Sequence, residues 1–198
     1  MQASPRQITV VTGGSRGIGA ATVPQLARDG HDVALSYRAD SRAAAGIVTA
    51  ALDLGARCVA IRADVSRERE VEHLFASATE QLGLLTGLVN NAGVTAHIGD
   101  LADTPVEVIR RVLEVNLLGA VLCARQAARH MSISRGGRGG AIVNITSAGA
   151  MLGSPHEYVH YAACKMAVET LTVGLASKIH PTSEADTERA LGGSQEPS

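Results

Sequence analysis

The chain has 198 residues, of which 45% are hydrophobic and 19% charged, and its formal net charge at pH 7 is −1. This length and apolar content predict a single domain with a sizeable core. Three Tyr, one Phe and no Trp offer few stacking surfaces, and the balanced charge offers no basic patch, so we expect neither nucleic acid nor membrane as a partner. A small-molecule partner is favoured.

Cysteine and histidine spacing predicts no metal site. Cys58, Cys123 and Cys164 stand far apart in apolar surroundings, so we expect buried free thiols. His156 and His160 are spaced i, i+4 but lack a third ligand, and are therefore expected at the surface. Because the sequence shows no apolar leader and no run of 18 apolar residues, we expect a soluble protein of the reducing cytoplasm.

Short β-branched runs alternate with helical patterns from residue 8 onward, which is typical of βαβ units. We predict strands at 8–12, 32–37, 57–62, 85–90 and 141–146, and helices at 17–29, 41–54, 67–82, 105–131 and 157–178. Right-handed crossovers then give an α/β fold, a doubly wound parallel sheet of order 3-2-1-4-5, over residues 1–180. The polar segment 181–198 is expected to be a disordered tail.

Local signals predict where the helices begin and end. Ser41 and Ser66 are predicted N-caps, and Thr104-Pro105 is read as a cap followed by proline at the first helical position. Gly30 and Gly55 are predicted just beyond helix C-termini. Pro24 conflicts with the first helix, since an interior proline costs about 3 kcal/mol unless the helix kinks.

The first strand runs into a glycine-rich turn, Thr12-Gly13-Gly14-Ser15-Arg16-Gly17-Ile18-Gly19. Glycines let the backbone come close to a ligand, and the first N–H groups of the following helix attract anions. The turn therefore predicts a pyrophosphate site made by Gly13, Ser15, Arg16, Gly17, Ile18 and Gly19. A tight turn without a ligand is the alternative reading.

The second strand favours NADP over NAD. An NAD site has an acidic residue about 20 residues beyond the glycines, whereas this strand ends in Ser36-Tyr37-Arg38. Arg38 and Arg16 can hold a 2′-phosphate through charge-assisted hydrogen bonds. The alternative is that both arginines are solvated surface charges.

The third and fourth strands are also followed by candidate nucleotide contacts. The Asp64 carboxylate can accept from an adenine amino group with Val65 beside the ring, or Asp64 can instead cap the next helix. Asn91, Ala92 and Gly93, in Asn90-Asn91-Ala92-Gly93, offer amides and small side chains where a ribose would pass, although alone they form only a turn. Because the carboxyl ends of parallel strands share one edge, we expect these residues to meet in one crevice.

Tyr161 and Lys165 carry the strongest catalytic signal. Their i, i+4 spacing puts phenol and ammonium on one helix face, where the ammonium favours the phenolate needed for proton transfer. Ser147 follows the fifth strand and can hold a substrate oxygen, or can be a turn hydroxyl. Asn116 lies among apolar helix residues and either supports a water link from Lys165 to solvent or satisfies nearby backbone. A serine hydrolase is disfavoured because the chain has no G-x-S-x-G motif.

Together, these motifs resemble the classical short-chain dehydrogenase/reductase family over about residues 6–178. The resemblance implies a Rossmann fold, NAD(P)-dependent hydride transfer between a carbonyl and an alcohol, and a homo-oligomer. It also implies residue roles: Tyr161 as the acid/base, and Lys165 as its support and as a holder of the nicotinamide ribose. Ser147 would orient the substrate, and Asn116 would support a proton relay.

Arg16 and Arg38 resemble NADP-preferring members, such as sugar dehydrogenases and oxoacyl reductases. Family members usually have a sixth and a seventh strand, neither of which is recognisable here, so the chain resembles a member truncated at its C-terminus. We therefore expect an NADP-dependent oxidoreductase that lacks one side of its substrate pocket. The alternative is a non-catalytic NADP-binding or interaction protein, in which the exposed edge of the fifth strand pairs with another subunit.

Overall fold

A computed structural model describes residues 6–179 and shows a five-stranded parallel sheet. The strands are β1 (Gln7–Val11), β2 (His31–Tyr37), β3 (Cys58–Arg62), β4 (Gly87–Asn90) and β5 (Ala141–Asn144). Their order, β3-β2-β1-β4-β5, confirms the predicted doubly wound fold. β4 begins later and β5 ends earlier than predicted. The predicted tail at 181–198 lies outside the described residues.

Seven α-helices connect and cover the strands within residues 6–179. They are α1 (Gly17–Arg28), α2 (Ser41–Leu52), α3 (Glu68–Leu82), α4 (Val106–Leu113), α5 (Gly119–Met131), α6 (Ala148–Leu152) and α7 (Val159–Ile179). The predicted helix 105–131 is really three segments, because a π-helical turn at Glu114–Leu118 joins α4 to α5. Sequence patterns did not predict α6, which is too short to show a hydrophobic period.

Apolar side chains form a core on each face of the sheet. On one face, Leu74 and Phe75 of α3 pack with Leu88 of β4. On the other face, Val23 of α1 packs with Leu35 of β2. Covered on both faces, the central strands β1, β2 and β4 are buried along most of their length, as expected for a parallel sheet.

The three predicted N-caps are each wrong by one residue, whereas Gly30 follows the C-cap of α1 with φ +86°, as predicted. Asp40, rather than Ser41, caps α2 by accepting from the Ala43 N–H at 2.8 Å. The N-cap of α3 is Arg67, rather than Ser66, and it makes no side-chain capping bond. Pro105 is the N-cap of α4, and Thr104 instead donates to the carbonyl of Asp100 at 2.8 Å. Helix α1 continues through Pro24.

The sheet ends in an open edge within the described part of the chain. β5 pairs with β4 on one side, and no other strand of residues 6–179 pairs with it. Val143, in the middle of β5, is 51% exposed. The last strand thus differs from the central strands in both pairing and burial.

The three cysteines are buried free thiols, as predicted. Burial raises the pKa of Cys58 to about 11, with a further contribution from the Asp32 charge. Burial alone raises the pKa of Cys123 to about 12. Both thiols therefore stay protonated at neutral pH. None of the helices of residues 6–179 combines the length and the apolar character needed to cross a bilayer.

Candidate active site

The turn after β1 is shaped by backbone contacts to its neighbours. Gly13 has φ +64°, a conformation that favours glycine, and its N–H donates to Ser36 Oγ at 3.1 Å. Gly19 is packed so closely that an added Cβ would lie 2.6 Å from Asn91 Nδ2. The glycine spacing therefore allows both the turn and the close approach of α1 to the chain after β4.

The N-terminus of α1 suits an anion better than those of its neighbours. Within residues 6–179, no side chain caps α1 and no acidic residue occupies its first turn. By contrast, Asp40 caps α2, and Glu68 and Glu70 lie in the first turn of α3. Of these three helices, α1 is the one whose N-terminus has no acidic side chain, which favours a bound phosphate there.

Thr12 ties this turn to the segment after β4. Its Oγ1 accepts the N–H of Asn91 at 2.9 Å and the N–H of Ala92 at 3.0 Å. Asn91 Nδ2 returns a bond to the carbonyl of Thr12 at 2.8 Å. The ends of β1 and β4 are thus joined by direct hydrogen bonds.

A crevice runs along the carboxyl ends of the strands, and its first lobe has a volume of about 330 Å³. Most of the predicted nucleotide residues line this lobe: Gly13, Ser15, Arg16, Gly17, Ile18, Arg38, Asp64, Val65, Asn91, Ala92 and Gly93. Gly19 lies behind the turn, and Lys165 lines the second lobe. Four separate strand ends therefore contribute to one concave surface.

Asp64 is held by two partners at the wall of the first lobe. Its Oδ1 accepts from the backbone N–H and hydroxyl of Ser66, and its Oδ2 accepts from Arg111 at 2.9 Å. Partial burial opposes its charge, but these bonds and the positive charge of Arg111 hold the pKa of Asp64 below its usual range. Asp64 is therefore an ionised acceptor, and the alternative reading as a helix cap is wrong.

The second lobe has a volume of about 570 Å³ and reaches Tyr161 and Lys165. It shares Arg16, Arg38 and Arg111 with the first lobe. No acidic residue is among the described side chains that line it. Arg16, Arg38 and Lys165 therefore give the second lobe positive charge, which suits a ligand that carries negative charge.

Tyr161 and Lys165 lie together on α7, as their spacing predicts. Lys165 Nζ is 5.6 Å from the centroid of the Tyr161 ring and donates to the carbonyl of Ile145 at 2.7 Å. The Lys165 residue is only 4% exposed, and this burial lowers the pKa of its ammonium. Tyr158 packs edge-on against Tyr161, with ring centroids 5.4 Å apart.

Asn116 lies in the π-helical turn and is 1% exposed. Its Nδ2 donates to the carbonyls of Val94 at 2.7 Å and Val112 at 2.9 Å, and its Oδ1 accepts from the Val94 N–H at 3.2 Å. The side chain thus satisfies nearby backbone, which was one of the two alternatives. A Cβ added at Gly93 would lie 2.8 Å from Asn116 Oδ1 and 3.8 Å from Lys165 Nζ, so this segment passes close to both residues.

Ser147 is the N-cap of α6. Its Oγ accepts from the Gly149 N–H at 3.1 Å, so it caps the helix. Ile145 and Thr146 line the second lobe, whereas Ser147 is not among the lining residues. The turn-hydroxyl alternative therefore describes its present contact.

Sequence reasoning missed three residues of the site: Ser36, which accepts from Gly13; Thr12, which joins β1 to the segment after β4; and Arg111, which lines both lobes. Thr12 and Ser36 lie next to predicted motifs and could have been included on that basis. Arg111 gave no local signal, because its partner Asp64 is 47 residues away.

Comparison with known proteins matches residues 7–183 to the short chain dehydrogenase family model. The chain is a short-chain dehydrogenase/reductase. Members of this family are NAD(P)-dependent oxidoreductases, and the crevice is where such a cofactor binds in an open α/β sheet. The predicted family and reaction class are thereby confirmed.

Individual relatives agree with this assignment. The short-chain dehydrogenase/reductase is 42% identical over 172 residues to an uncharacterized oxidoreductase, YgfF, of Escherichia coli, covering 87% of this chain and 70% of the relative. It is 34% identical to a 3-oxoacyl-[acyl-carrier-protein] reductase of Synechocystis, covering 90% of this chain and 70% of that protein. A short chain dehydrogenase of Burkholderia cenocepacia, solved with NADP, has 36% identity and a TM-score of 0.82, covering 88% of this chain and 69% of that one.

Proposed function

We propose that this short-chain dehydrogenase/reductase uses NADP to interconvert a carbonyl and an alcohol on a small molecule. The observation that carries the proposal is the pairing of Tyr161 with the buried Lys165 at the second lobe of a crevice whose first lobe is lined by the glycine-rich turn. The anion site would then hold the cofactor, and the proton-transfer group would serve a substrate bound beside the nicotinamide. The cytoplasmic location stays a prediction from the sequence.

The residues of the first lobe fit the nucleotide half of the cofactor. The uncapped N-terminus of α1 and the backbone from Gly13 to Gly19 would hold the pyrophosphate. Arg16 and Arg38 would hold the 2′-phosphate of NADP, in support of NADP rather than NAD. Asp64 would accept from the adenine amino group, with Val65 beside the ring, and Asn91, Ala92 and Gly93 would line the ribose path.

The second lobe carries the chemistry. When bound, the nicotinamide supplies a hydride to a carbonyl carbon or accepts one from an alcohol carbon. Tyr161 then donates its phenolic proton to the forming alkoxide, or takes the proton in the reverse direction. Lys165 places its ammonium 5.6 Å from the centroid of the Tyr161 ring and would hold the nicotinamide ribose. Ser147 would orient the substrate oxygen after leaving its bond to Gly149.

Asn116 would support the proton relay by holding the π-helical turn in place, and its own amide would not need to contact the water of the relay. Its side chain holds Val94 and Val112, and the π-helical turn around it shifts the local pattern of carbonyl hydrogen bonds. A carbonyl released by this turn can bind a water that links Lys165 to solvent. This arrangement combines both alternatives predicted for Asn116.

For the substrate, two classes follow from the resemblance: 3-oxoacyl thioesters and sugars. The named Synechocystis reductase supports the first class. In both classes a carbonyl or hydroxyl lies beside further oxygen atoms, which suits the electropositive second lobe.

A non-catalytic role is the second candidate function. The observation that favours it is the open edge of β5 within residues 6–179, which could pair with a strand of another subunit. In that case NADP would bind, but Tyr161 would have no chemical task.

Replacing Tyr161 by phenylalanine separates the two functions. We expect Tyr161→Phe to reduce carbonyl-dependent NADPH oxidation by at least about 100-fold, because general acid–base catalysis contributes this much. NADP should still stabilise the Tyr161→Phe variant against thermal unfolding. At 100 times its dissociation constant, NADP should raise the free energy of unfolding by about 2.7 kcal/mol. The matched control is Tyr158→Phe, which removes a neighbouring phenol and should retain turnover.

The result that contradicts the catalytic proposal is equal turnover in Tyr161→Phe and the unchanged chain. NADP binding without turnover of either substrate class would favour the non-catalytic role. Absence of any shift with NADP or NAD would contradict both functions.

A further inference from the structure

Asp64, Ser66 and Arg111 form a closed set of hydrogen bonds at the wall of the first lobe. Arg111 Nη2 donates to Asp64 Oδ2 at 2.9 Å, and Arg111 Nη1 donates to Ser66 Oγ at 2.9 Å. Ser66 donates its hydroxyl proton to Asp64 Oδ1 at 2.7 Å and its backbone N–H to the same oxygen at 3.1 Å. Each of the three side chains is therefore oriented by the other two.

The Asp64 carboxylate has one acceptor position that Ser66 and Arg111 do not use. An ionised carboxylate has about four lone-pair positions. Ser66 uses two on Oδ1 and Arg111 uses one on Oδ2, which leaves one position on Oδ2. The Asp64 side chain is 16% exposed and lines the first lobe, so the remaining position is open to an occupant of that lobe.

We propose that Arg111 is a positioning residue that makes Asp64 select a purine with a 6-amino group, as in adenine, over one with a 6-oxo group, as in hypoxanthine. The proposal rests on the proposed function, in which Asp64 faces the adenine. By holding Oδ2 directly and Oδ1 through Ser66, Arg111 stops the carboxylate from rotating. The one remaining acceptor position is then fixed, and an N–H donor satisfies it whereas an oxygen atom is repelled.

The backbone and the charge of Asp64 support this role. The Asp64 N–H donates to Glu70 Oε2 at 2.8 Å, so the main chain is fixed as well as the side chain. Because hydrogen bonds from Ser66 and Arg111 hold the pKa of Asp64 below its usual range, the carboxyl group is ionised at neutral pH and has no proton to donate to a 6-oxo group. Arg111 Nη1 and Nη2 each direct one N–H at Ser66 or Asp64, which is the contact through which a positioning role would act.

Calorimetric titration with two probes tests the proposal: NADP, and the same dinucleotide with hypoxanthine in place of adenine. We expect the unchanged chain to bind NADP at least about tenfold more tightly, because a hydrogen bond to a charged acceptor is lost in the analogue. Arg111→Met should lower this preference by about threefold or more. Arg110→Met is the matched control, since it removes an exposed arginine from the adjacent position of α4, and should leave the preference unchanged.

A double-mutant cycle with Asp64→Asn shows whether Arg111 acts through Asp64. In the Asp64→Asn background, Arg111→Met should no longer alter the preference. The proposal is overturned if Arg111→Met weakens both probes equally, or if its effect persists without the carboxylate. If Arg111→Met does not unfold cooperatively, Arg111→Lys takes its place. The lysine ammonium cannot reproduce the planar pair of N–H groups with which the guanidinium holds both Asp64 and Ser66. Failure of the unchanged chain to bind either NADP or NAD would instead contradict the proposed function.

Discussion

Arg38 follows β2 at the point where an NAD-binding chain would carry an acidic residue, and it lines both lobes of the crevice. We predict that Arg38→Ala weakens NADP binding by about 10- to 100-fold, because a charge-assisted contact to the 2′-phosphate is lost. NAD binding should change little. Arg42→Ala, which removes an exposed arginine of α2, is the control. Equal loss for both nucleotides, measured by calorimetry, would show that Arg38 does not read the 2′-phosphate.

Individual residues were predictable where their chemistry is local. The glycines, Arg16 and Arg38 belong to one turn and one strand end, and Tyr161 and Lys165 belong to one helix face, so spacing alone brings each set together. Arg111 depends on a partner from another βα unit, which no spacing rule contains. Ser147 could be named, but not its present bond to Gly149, because the cap depends on the unpredicted helix α6.

Hydrophobic periodicity predicted which helices and strands form and in what order, but it did not predict the residues at which they begin and end. The strands and the five long helical regions appear in the predicted order because βαβ patterning sets them. The π-helical turn at Glu114–Leu118 is invisible in that pattern, because α4 and α5 continue the same apolar face around it. The N-cap of α2 lies one residue before the predicted one, because the Asp40 carboxylate accepts the Ala43 N–H, whereas the N-caps of α3 and α4 lie one residue after the predicted ones.

Proline inside α1 offers a test at the level of one element. Pro24→Ala should stabilise the chain by about 1–3 kcal/mol, since alanine restores the hydrogen bond to the carbonyl of Ala20 and removes the ring clash. Pro105→Ala is the control, because Pro105 precedes α4 and blocks no interior bond; it should destabilise the chain by about 0.4–1 kcal/mol through the unfolded state. Denaturant unfolding of both variants measures whether each substitution raises or lowers the free energy of unfolding. A loss of stability in Pro24→Ala would mean that α1 depends on the proline.

At the scale of the whole molecule, the sheet is well covered at its centre and open at β5. Val143 is 51% exposed, and β5 has a single partner strand among the described residues. The chain spans about 70% of the length of the relatives reported above. An open strand edge beside exposed apolar surface favours pairing with another chain.

Self-association through this edge can be measured directly. We predict that Val143→Lys lowers the apparent mass by light scattering, because a charge on an edge strand opposes strand pairing. Leu52→Lys, at the end of α2, is the control because Leu52 has the same 51% exposure. If both variants match the unchanged chain, β5 is not the surface through which copies associate. NADP binding should be equal in all three proteins.

The hydroxyl of Thr12 has a consequence for the thermodynamics of cofactor exchange. Because one oxygen accepts from both Asn91 and Ala92, the turn after β1 and the segment after β4 are ordered when the chain folds. Little conformational entropy then remains to be lost when a nucleotide arrives, so more of the contact energy appears as affinity. Because both bonds are within the chain itself, we expect them to persist when the site is empty. A nucleotide would then meet a surface that needs no reassembly.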